Sequence, residues 1–399
     1  MIFSDSYICG YFGMRNTGDD ALLLATVWGA TNFMGHKAMR VSNVAPLKLP
    51  GLPFMPAGLK TQQHFRGENR LHQSAQALLS KRVIFGGGSV LHNSHDINLK
   101  RHLIKLSGRR KGLALGVGLG PFRDRDAEQN CAKLLNECEF VGLRDVDSFE
   151  LAKHIAPHAN VKLTFDLAPL MLLNERLLFD GATRSGICFC LCPNERFSGD
   201  TQAEHNRLVL LARAIVRLHR LTGEPITLLD FNGHATLGDE QVHAALRALL
   251  PTSVPVSHLH YHHNPLVVLQ RLASFKAVVS MRLHGSVMAY LADTPVISLN
   301  YHSKCAGWCR QIGQPERLQF DAKNIDLDRL VNVISDGIAL GFMSPTLALS
   351  AALEKSLSNW RINDVYSQKS HFSGYSLVQQ TVPHSGYHSN RARPNRPAA

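Results

Sequence analysis

The chain has 399 residues, a hydrophobic fraction of 45%, a charged fraction of 19% and a formal net charge of +12. These fractions are ordinary for globular proteins, and a single core stops growing at about 250–300 residues, so we predict more than one domain. The sequence has no run of eighteen apolar residues and no basic-then-apolar leader at its start. We therefore expect no membrane-spanning helix and no secretory signal, and we predict a cytoplasmic protein.

The first half of the chain alternates short apolar runs with amphipathic segments. Strands are predicted over 7–12, 82–85, 112–117 and 140–143, and helices over 21–32 and 146–155. The strands lack strict polar alternation, and strands of this kind followed by helices are typical of a parallel sheet covered on both faces. This pattern predicts a Rossmann-like lobe over residues 1–173.

A second unit of the same kind follows a connecting stretch over 174–184. Its predicted strands are 187–192, 225–230, 277–281 and 295–300, and its predicted helices are 203–222, 239–250, 265–275 and 285–292. We predict an α/β fold of two Rossmann-like lobes, the second over 185–343, whose parallel sheets face a cleft. A helix within 344–362 is predicted to close the chain against the first lobe, and the Ser-, His- and Arg-rich residues 367–399 are predicted to be a disordered basic tail.

The cysteines and histidines give no metal-binding pattern along the sequence. The eight cysteines lack the paired C-x2–4-C spacing of structural zinc sites, so we interpret them as reduced, buried small side chains. The histidine-rich run 258–263 is assigned to a loop, and no metal is predicted. The basic excess lacks an aromatic-interleaved strip, so no nucleic-acid partner is expected. A solvated basic surface is the first interpretation, and peripheral contact with anionic lipid of the inner membrane is the second.

The segment 278–286, with sequence VVSMRLHGS, ends a buried strand, turns and starts a helix. Ligands of open parallel sheets bind at the carboxyl ends of strands, and a helix N-terminus favours an anion. Arg282 can bind a phosphate or carboxylate in two-pronged fashion, and His284 can transfer a proton near neutral pH. Gly285 permits close backbone approach and Ser286 adds a hydroxyl. The alternative is a surface arginine and a hydrogen-bonded loop histidine, but the strand–turn–helix setting favours an anion site.

Arg144 follows a strand of the first lobe in the same way. Asp145 is positioned to cap the next helix, and Arg144 could supply a second guanidinium from the opposite wall of the cleft. Taken alone, this pattern also fits a simple helix cap.

Two further segments are candidates for ligand contact. Residues 16–20, with sequence NTGDD, are a helix-start signal, and either Asp19 or Asp20 could accept a proton from a sugar hydroxyl. Asn16 is included as a substrate-binding candidate. Gly87 and Gly88 belong to a glycine run that does not fit a P-loop, so it is either a turn that approaches a ligand or merely a turn.

Six motifs in order resemble the polysaccharide pyruvyl transferase family. They are GYFGMRNTGDDALL (10–23), IFGGGSVLHN (84–93), ALGVGLGPF (114–122), GLRDVDSFELA (142–152), FDLAPLM (165–171) and SMRLHGSVMAYLADTPVISLNYHSKCAGW (280–308). The chain departs from the family at Ser89, where a further glycine is common, and at Asp20, where glutamate is common. The resemblance covers residues 7–313 and leaves the tail outside.

The resemblance implies a fold similar to the glycosyltransferase-B architecture, with the active site in the cleft between lobes. It implies phosphoenolpyruvate as donor, no further cofactor, and a pyruvate ketal formed on a sugar of an exopolysaccharide or its lipid-linked precursor. Arg144, Arg282 and His284 carry over, with Lys304 adding charge. Two alternatives stay open: a nucleotide-sugar glycosyltransferase of the same architecture, and a non-catalytic family member.

Overall fold

The computed structural model describes residues 3–44, 54–174, 177, 183–197 and 199–362, and it confirms an α/β fold built on two parallel sheets. The first sheet has strands β1 (Ser6–Cys9), β2 (Met39–Asn43), β3 (Phe54–Gly58), β4 (Val83–Leu91), β5 (Gly112–Leu119), β6 (Cys138–Leu143) and β7 (Val161–Leu163). Their order across the sheet is β3-β2-β1-β4-β5-β6-β7, and every described pair is parallel.

The second sheet has strands β8 (Ile187–Cys190), β9 (Ile226–Leu229), β10 (Val256–Leu259), β11 (Ala277–Ser280), β12 (Val296–Asn300) and β13 (Gln319–Asp321). Their order is β10-β9-β8-β11-β12-β13, again with parallel pairs. The central strands are buried on both faces, which explains why their sequences are continuous apolar runs.

Helices cover both faces of each sheet. Those of the first half are α1 (Thr17–Met34), α2 (Glu68–Leu78), α3 (Ser94–Leu106), α4 (Arg125–Glu137) and α5 (Val146–Ile155). Those of the second half are α6 (Asn194–Phe197), α7 (Thr201–Thr222), α8 (Glu240–Ala248), α9 (Pro265–Ala273), α10 (Leu283–Leu291), α11 (Ser303–Ile312), α12 (Leu327–Leu340) and α13 (Leu349–Leu357). Within the described ranges, none of these helices is both long and apolar enough to cross a bilayer.

Two predicted helix starts differ from those of the structure, and a side-chain cap explains one of them. Helix α1 begins at Thr17 rather than at residue 21, because the Asn16 side chain accepts a hydrogen bond from the Gly18 amide at 3.0 Å. Helix α5 begins at Val146 as predicted, with the Asp145 carboxylate accepting from the Ser148 amide at 2.8 Å. Helix α10 begins at Leu283 rather than at residue 285.

The glycine run at 86–88 is not a turn but part of β4, so that prediction is wrong. Gly87 and Gly88 have φ of +74° and +82°, a backbone region that favours glycine. A Cβ on Gly87 would lie 2.9 Å from a methyl group of Leu22, so at Gly87 the close approach is to helix α1. Gly88 pairs with Val117 in the ladder between β4 and β5.

The closing segment, residues 344–362, packs back on the first half of the chain as predicted. It forms α13 and a short 3-10 helix, Ser358–Trp360, rather than one continuous helix. Leu353 and Trp360 join an apolar cluster with Ile8 of β1. The basic tail predicted over 367–399 lies outside the described residues.

An apolar cluster joins the two halves of the molecule. Leu24 and Phe165 from the first half pack with residues of α9 and α10, and the Phe165 and Trp308 rings lie 5.5 Å apart. Two main-chain hydrogen bonds add to this contact: the Thr17 amide donates to the Phe231 carbonyl at 2.9 Å, and a second bond joins residues 233 and 15 at 2.8 Å.

Candidate active site

A cavity of about 210 Å³ lies between the carboxyl ends of the two sheets. Its walls come from both halves of the chain, because β4, β5 and β6 end on one side and β11 and β12 end on the other. The polar residues lining it are Ser89, Arg144, Asp145, Asp147, Ser148, Asp166, His302, Ser303, Lys304 and Gln311. This position agrees with the rule that ligands of open parallel sheets bind beyond the carboxyl strand ends.

Arg144 follows β6 and presents its guanidinium to this cavity. Nη2 donates to the Ser89 hydroxyl at 2.9 Å, and Nη1 lies 3.5 Å from Oδ2 of Asp166. The guanidinium packs against Gly118, where a Cβ would lie 3.1 Å from its nitrogens. The side chain is therefore held in place and only 8% exposed. Ser89, the departure from the family pattern, is a direct partner of this arginine.

His284 lies in the first turn of α10, in the second half of the chain, and is not among the described residues that line the cavity. Its Nε2 lies 3.7 Å from Oδ2 of Asp166, and among the described residues this buried nitrogen has no hydrogen-bond partner. Asp166, which lines the cavity, therefore lies between Arg144 of the first half of the chain and His284 of the second. Burial alone would raise the pKa of Asp166, but His284 and Arg144 outweigh it and lower that pKa. Asp166 belongs to the FDLAPLM motif but was not predicted as a site residue.

The N-terminus of α10 is open to an anion. Arg282 is its N-cap and makes no side-chain cap hydrogen bond, so the first amides of the helix lack that partner. Ser286 is buried, and its amide donates to the Arg282 carbonyl at 3.0 Å. A Cβ on Gly285 would lie 2.4 Å from the Ser280 hydroxyl, so this glycine allows the strand and helix to pack closely.

Arg282 itself makes its two-pronged contact with Asp239. Nε lies 3.1 and 3.2 Å from the two carboxylate oxygens, and Nη2 also donates to this carboxylate. Asp239 further accepts from the amides of Phe231 and Asn232 at 2.9 Å each. The described residues that line the cavity do not include Arg282. Direct binding of a donor anion by Arg282 stays a prediction. Its ion pair with Asp239 was not predicted from the sequence.

Asp19 lies in the first turn of α1, close to the positive charges of the cleft. Burial raises the pKa of Asp19 to about 6, although His284, Lys304, Arg144 and Arg282 all favour its charged form. Lys304 is in the first turn of α11 and lines the cavity. Burial lowers the pKa of Lys304, and repulsion from the two arginines adds to the effect. The Asp19 carboxylate, the imidazole of His284 and the three basic side chains therefore share one electrostatic environment.

The side chains of Asp20 and Asn16 both accept hydrogen bonds from other groups of the protein. The Asp20 carboxylate accepts a hydrogen bond from the Tyr261 hydroxyl at 2.6 Å, which joins the two halves of the chain, and burial raises its pKa to about 6. Asn16 caps α1 with its side chain. A Cβ on Gly18 would lie 2.4 Å from Nδ1 of His284, so the imidazole lies directly on this helix start. Of the two aspartates, Asp19 is the one surrounded by the cleft cations.

Comparison with solved structures defines the class of fold. UDP-GlcNAc 2-epimerase from Methanocaldococcus jannaschii matches with a TM-score of 0.58 at 11% identity, covering 91% of this chain and 99% of that chain. The enzyme from Rickettsia bellii gives 0.57 at 11% identity, with 96% and 99% covered. That from Neisseria meningitidis bound to UDP-GlcNAc gives 0.51 at 11% identity, with 90% and 95% covered. At such identities the likeness concerns the fold alone, and the fold is GT-B-like.

A family model assigns the chain within this class. The model described as polysaccharide pyruvyl transferase matches residues 47–303, well over half of the sequence. The chain belongs to the polysaccharide pyruvyl transferase family, which supports its general assignment as a transferase. Arg144, Asp166, Arg282 and His284 fall within the matched range, whereas Asp19 lies before it and Lys304 one residue beyond it.

Proposed function

We propose that this protein transfers the pyruvyl group of phosphoenolpyruvate to two hydroxyls of a sugar, in an exopolysaccharide or its lipid-linked precursor, and forms a pyruvate ketal. The main support is that Arg144 and Lys304 line one small cavity from its two walls, and that His284 lies 3.7 Å from the cavity-lining Asp166 at an uncapped helix N-terminus. Phosphoenolpyruvate carries two anionic groups, which suits two separated cationic positions. The cavity of about 210 Å³ is smaller than the roughly 300–1,000 Å³ of pockets for larger ligands.

In this proposal the donor is held from both walls. Arg144 binds the carboxylate, which is planar and suits a guanidinium, while Lys304 and the first amides of α10 bind the phosphate. Ser89 and Asp166 fix the Arg144 guanidinium before the donor arrives. Arg282 anchors the turn before α10 to Asp239, and its direct contact with the donor stays a prediction.

The chemical steps use two protein groups, His284 and Asp19. His284, as imidazolium beside the Asp166 carboxylate, donates a proton to the methylene carbon of the donor, which becomes a methyl group. A sugar hydroxyl then bonds to the neighbouring carbon and gives its proton to Asp19. Phosphate leaves with its bridging oxygen and takes the proton from Asp19. A second sugar hydroxyl then bonds to the same carbon and gives its proton to His284, which restores the imidazolium. The products are the ketal and inorganic phosphate, and no cofactor besides the donor substrate takes part.

The test combines the purified protein, phosphoenolpyruvate and a panel of saccharide acceptors. We expect release of phosphate together with an acceptor mass gain equal to pyruvate minus water. His284→Asn is expected to abolish turnover while donor binding, measured by calorimetry, is retained. His154→Asn, at an exposed position near the end of α5, is the matched control and should keep full activity. Full activity of the His284→Asn variant would refute the proton donor, and no phosphate release with any acceptor would refute the donor assignment.

The shared fold with UDP-GlcNAc 2-epimerases keeps a nucleotide-sugar enzyme as the second candidate. The same assay run with UDP-GlcNAc distinguishes the two, because that substrate would release a nucleoside diphosphate or an epimerised sugar. A protein that binds phosphoenolpyruvate but turns over neither substrate would instead support a non-catalytic family member. Cytoplasmic location and peripheral contact with an anionic membrane remain part of the proposal, and co-sedimentation with anionic vesicles tests the latter.

A further inference from the structure

We propose that the protein docks on an anionic lipid bilayer through a basic and apolar surface of its first half. The surface consists of the loop 59–67, which follows β3, and the first turns of α2. None of its side chains lines the cleft cavity, so the surface is separate from the candidate active site. The exposed side chains that form it are Lys60, His64, Phe65, Arg66, Arg70 and Leu71.

Two large apolar side chains of this surface are exposed to water. The exposed fraction is 53% for Phe65 and 63% for Leu71. Helix α2 buries little of its own surface, because Ala77 is the one buried residue of this helix. Scattered exposed apolar side chains are common in proteins, so these two alone decide nothing. Next to basic side chains, however, they are typical of surfaces that lie in a membrane interface.

The loop is held against the start of α2, so its side chains form one surface with those of the helix. The Glu68 carboxylate accepts a hydrogen bond from the His64 amide at 2.7 Å and another from Nζ of Lys60 at 2.5 Å. The Asn69 side chain accepts from the Lys60 amide and donates to the Lys60 carbonyl, both at 2.8 Å. Because these bonds order the loop in advance, docking loses little further conformational entropy.

The charge of this surface is positive and open to a partner. Residues 60–71 contain three basic side chains and one acidic side chain, which gives a formal charge of +2. The acidic side chain, Glu68, is already paired with Lys60. Arg66 and Arg70 make no ion pair with other described residues, so both guanidiniums can bind an external anion.

An anionic bilayer suits both parts of this surface at once. Arginines bind lipid phosphates through charge-assisted hydrogen bonds, while exposed apolar side chains enter the boundary between headgroups and acyl chains. A nucleic acid would pair with the arginines but would leave Leu71 in water. The bilayer is therefore the partner that accounts for the basic and the apolar side chains together.

The surface lies along the edge of the first sheet that borders the cleft. Loop 59–67 leaves the carboxyl end of β3, and because the strands are parallel, their carboxyl ends share one edge. In the order β3-β2-β1-β4, the end of β4 at the cavity is three strands away, roughly 15 Å at about 4.8 Å per strand. Tyr11 and Met14 follow β1 at this edge and are also exposed. Docking would bring the cleft near lipid-linked saccharides, a role that rests on the proposed function, whereas docking itself does not.

The test is binding of the full chain to lipid vesicles, measured by flotation without any activity assay. We expect binding to vesicles of phosphatidylcholine with phosphatidylglycerol, and little binding to phosphatidylcholine alone. Arg66→Gln with Arg70→Gln should weaken binding to the anionic vesicles about tenfold or more, because both arginines contribute near an anionic surface. Phe65→Ser with Leu71→Ser should weaken it by a similar factor, because the inserted apolar groups are lost. All four side chains are exposed, so each variant should melt at the temperature of the unaltered chain.

The matched controls make the same kind of substitution in the second half of the chain. Arg213→Gln with Arg220→Gln removes two exposed arginines of α7, and Leu221→Ser with Leu340→Ser removes two exposed leucines. Both controls should bind the anionic vesicles as the unaltered chain does. The proposal would be overturned by no binding to anionic vesicles, by equal binding with and without phosphatidylglycerol, or by surface variants that bind as tightly as the controls. Because the readout is lipid binding, its failure leaves the proposed transferase activity unaffected.

Discussion

Replacing Asp166 by Asn tests whether one buried carboxylate holds the two walls of the site together. The substitution preserves shape, and Oδ1 can still accept from the Ala168 amide. It removes the charge that lies 3.5 Å from Arg144 and 3.7 Å from His284. At an effective dielectric constant of about 20, unit charges at these distances attract by about 4–5 kcal/mol. Removing one partner of a buried pair costs about 3–5 kcal/mol after desolvation is included.

We expect the Asp166→Asn variant to lose about 3 kcal/mol of unfolding free energy. This is the low end of the range of about 3–5 kcal/mol, because Asp145 remains 3.6 Å from Arg144 as a second carboxylate partner. Urea unfolding followed by tryptophan fluorescence measures this, since Trp308 lies against Phe165 beside the site. Turnover should also fall, because the imidazolium loses its neighbouring carboxylate.

The control for this variant is Asp147→Asn. Asp147 lines the same cavity, but its side chain is 81% exposed and pairs with Arg310 at 3.2 Å. Exposed pairs contribute about 0–1 kcal/mol, so the control should unfold nearly as the unaltered chain does. An Asp166→Asn variant within about 0.5 kcal/mol of the unaltered chain, with full turnover, would refute the bridging role.

Three further variants test other contacts. Burial raises the pKa of Asp20 to about 6, so the native state binds the proton more tightly and stability falls as pH rises through 6. In urea unfolding, Asp20→Asn should be more stable than the unaltered chain at pH 8, by up to about 3 kcal/mol, with no advantage at pH 4. Asn359→Ala removes four buried hydrogen bonds and should cost about 3 kcal/mol in the same assay. Gly18→Ala places a Cβ 2.4 Å from His284, so the imidazole must shift; the variant should lower turnover at least about tenfold in a phosphate-release assay and lose about 1–3 kcal/mol of stability.

Each of these variants has its own contrary outcome. Asn136→Ala, which loses one exposed hydrogen bond to the Ala132 carbonyl, is the control for Asn359, and equal costs would contradict the importance of the closing segment. A pH-independent effect of Asp20→Asn would show that the carboxyl group does not titrate near 6. Unchanged turnover of Gly18→Ala would show that the imidazole position does not matter.

Local signals in the sequence predicted much of the fold. Helix α5 has the predicted bounds because Asp145 supplies its cap from the adjacent position. The alternation of strands and helices along the sequence was sufficient to predict two parallel sheets. The glycine run at 86–88 does not form the predicted turn because its role is in tertiary packing: glycine there allows Leu22 and Thr26 of α1 to lie against the strand. Intrinsic glycine preference indicates a turn and contains no information on that packing.

The candidate site shows the same division between local and tertiary information. Arg144 and His284 were found because each follows a strand that ends at the cleft. The partners Asp166 and Asp239 were missed as site residues because they lie 22 and 43 positions from the arginines that they hold. The histidines at 258 and 260 were assigned to a loop, whereas His258 lies in β10 next to Asp230. Spacing along the chain does not reveal contacts of this kind.

The apolar cluster between the two halves has a consequence for how the cleft works. Lobes joined by polar surfaces rotate readily, but a rotation here would bring Phe165 and Trp308 into water. The separation of the two cationic walls is therefore established when the chain folds. The entropy of orienting them is lost once, during folding, and a small anion entering the cleft meets groups that are already aligned.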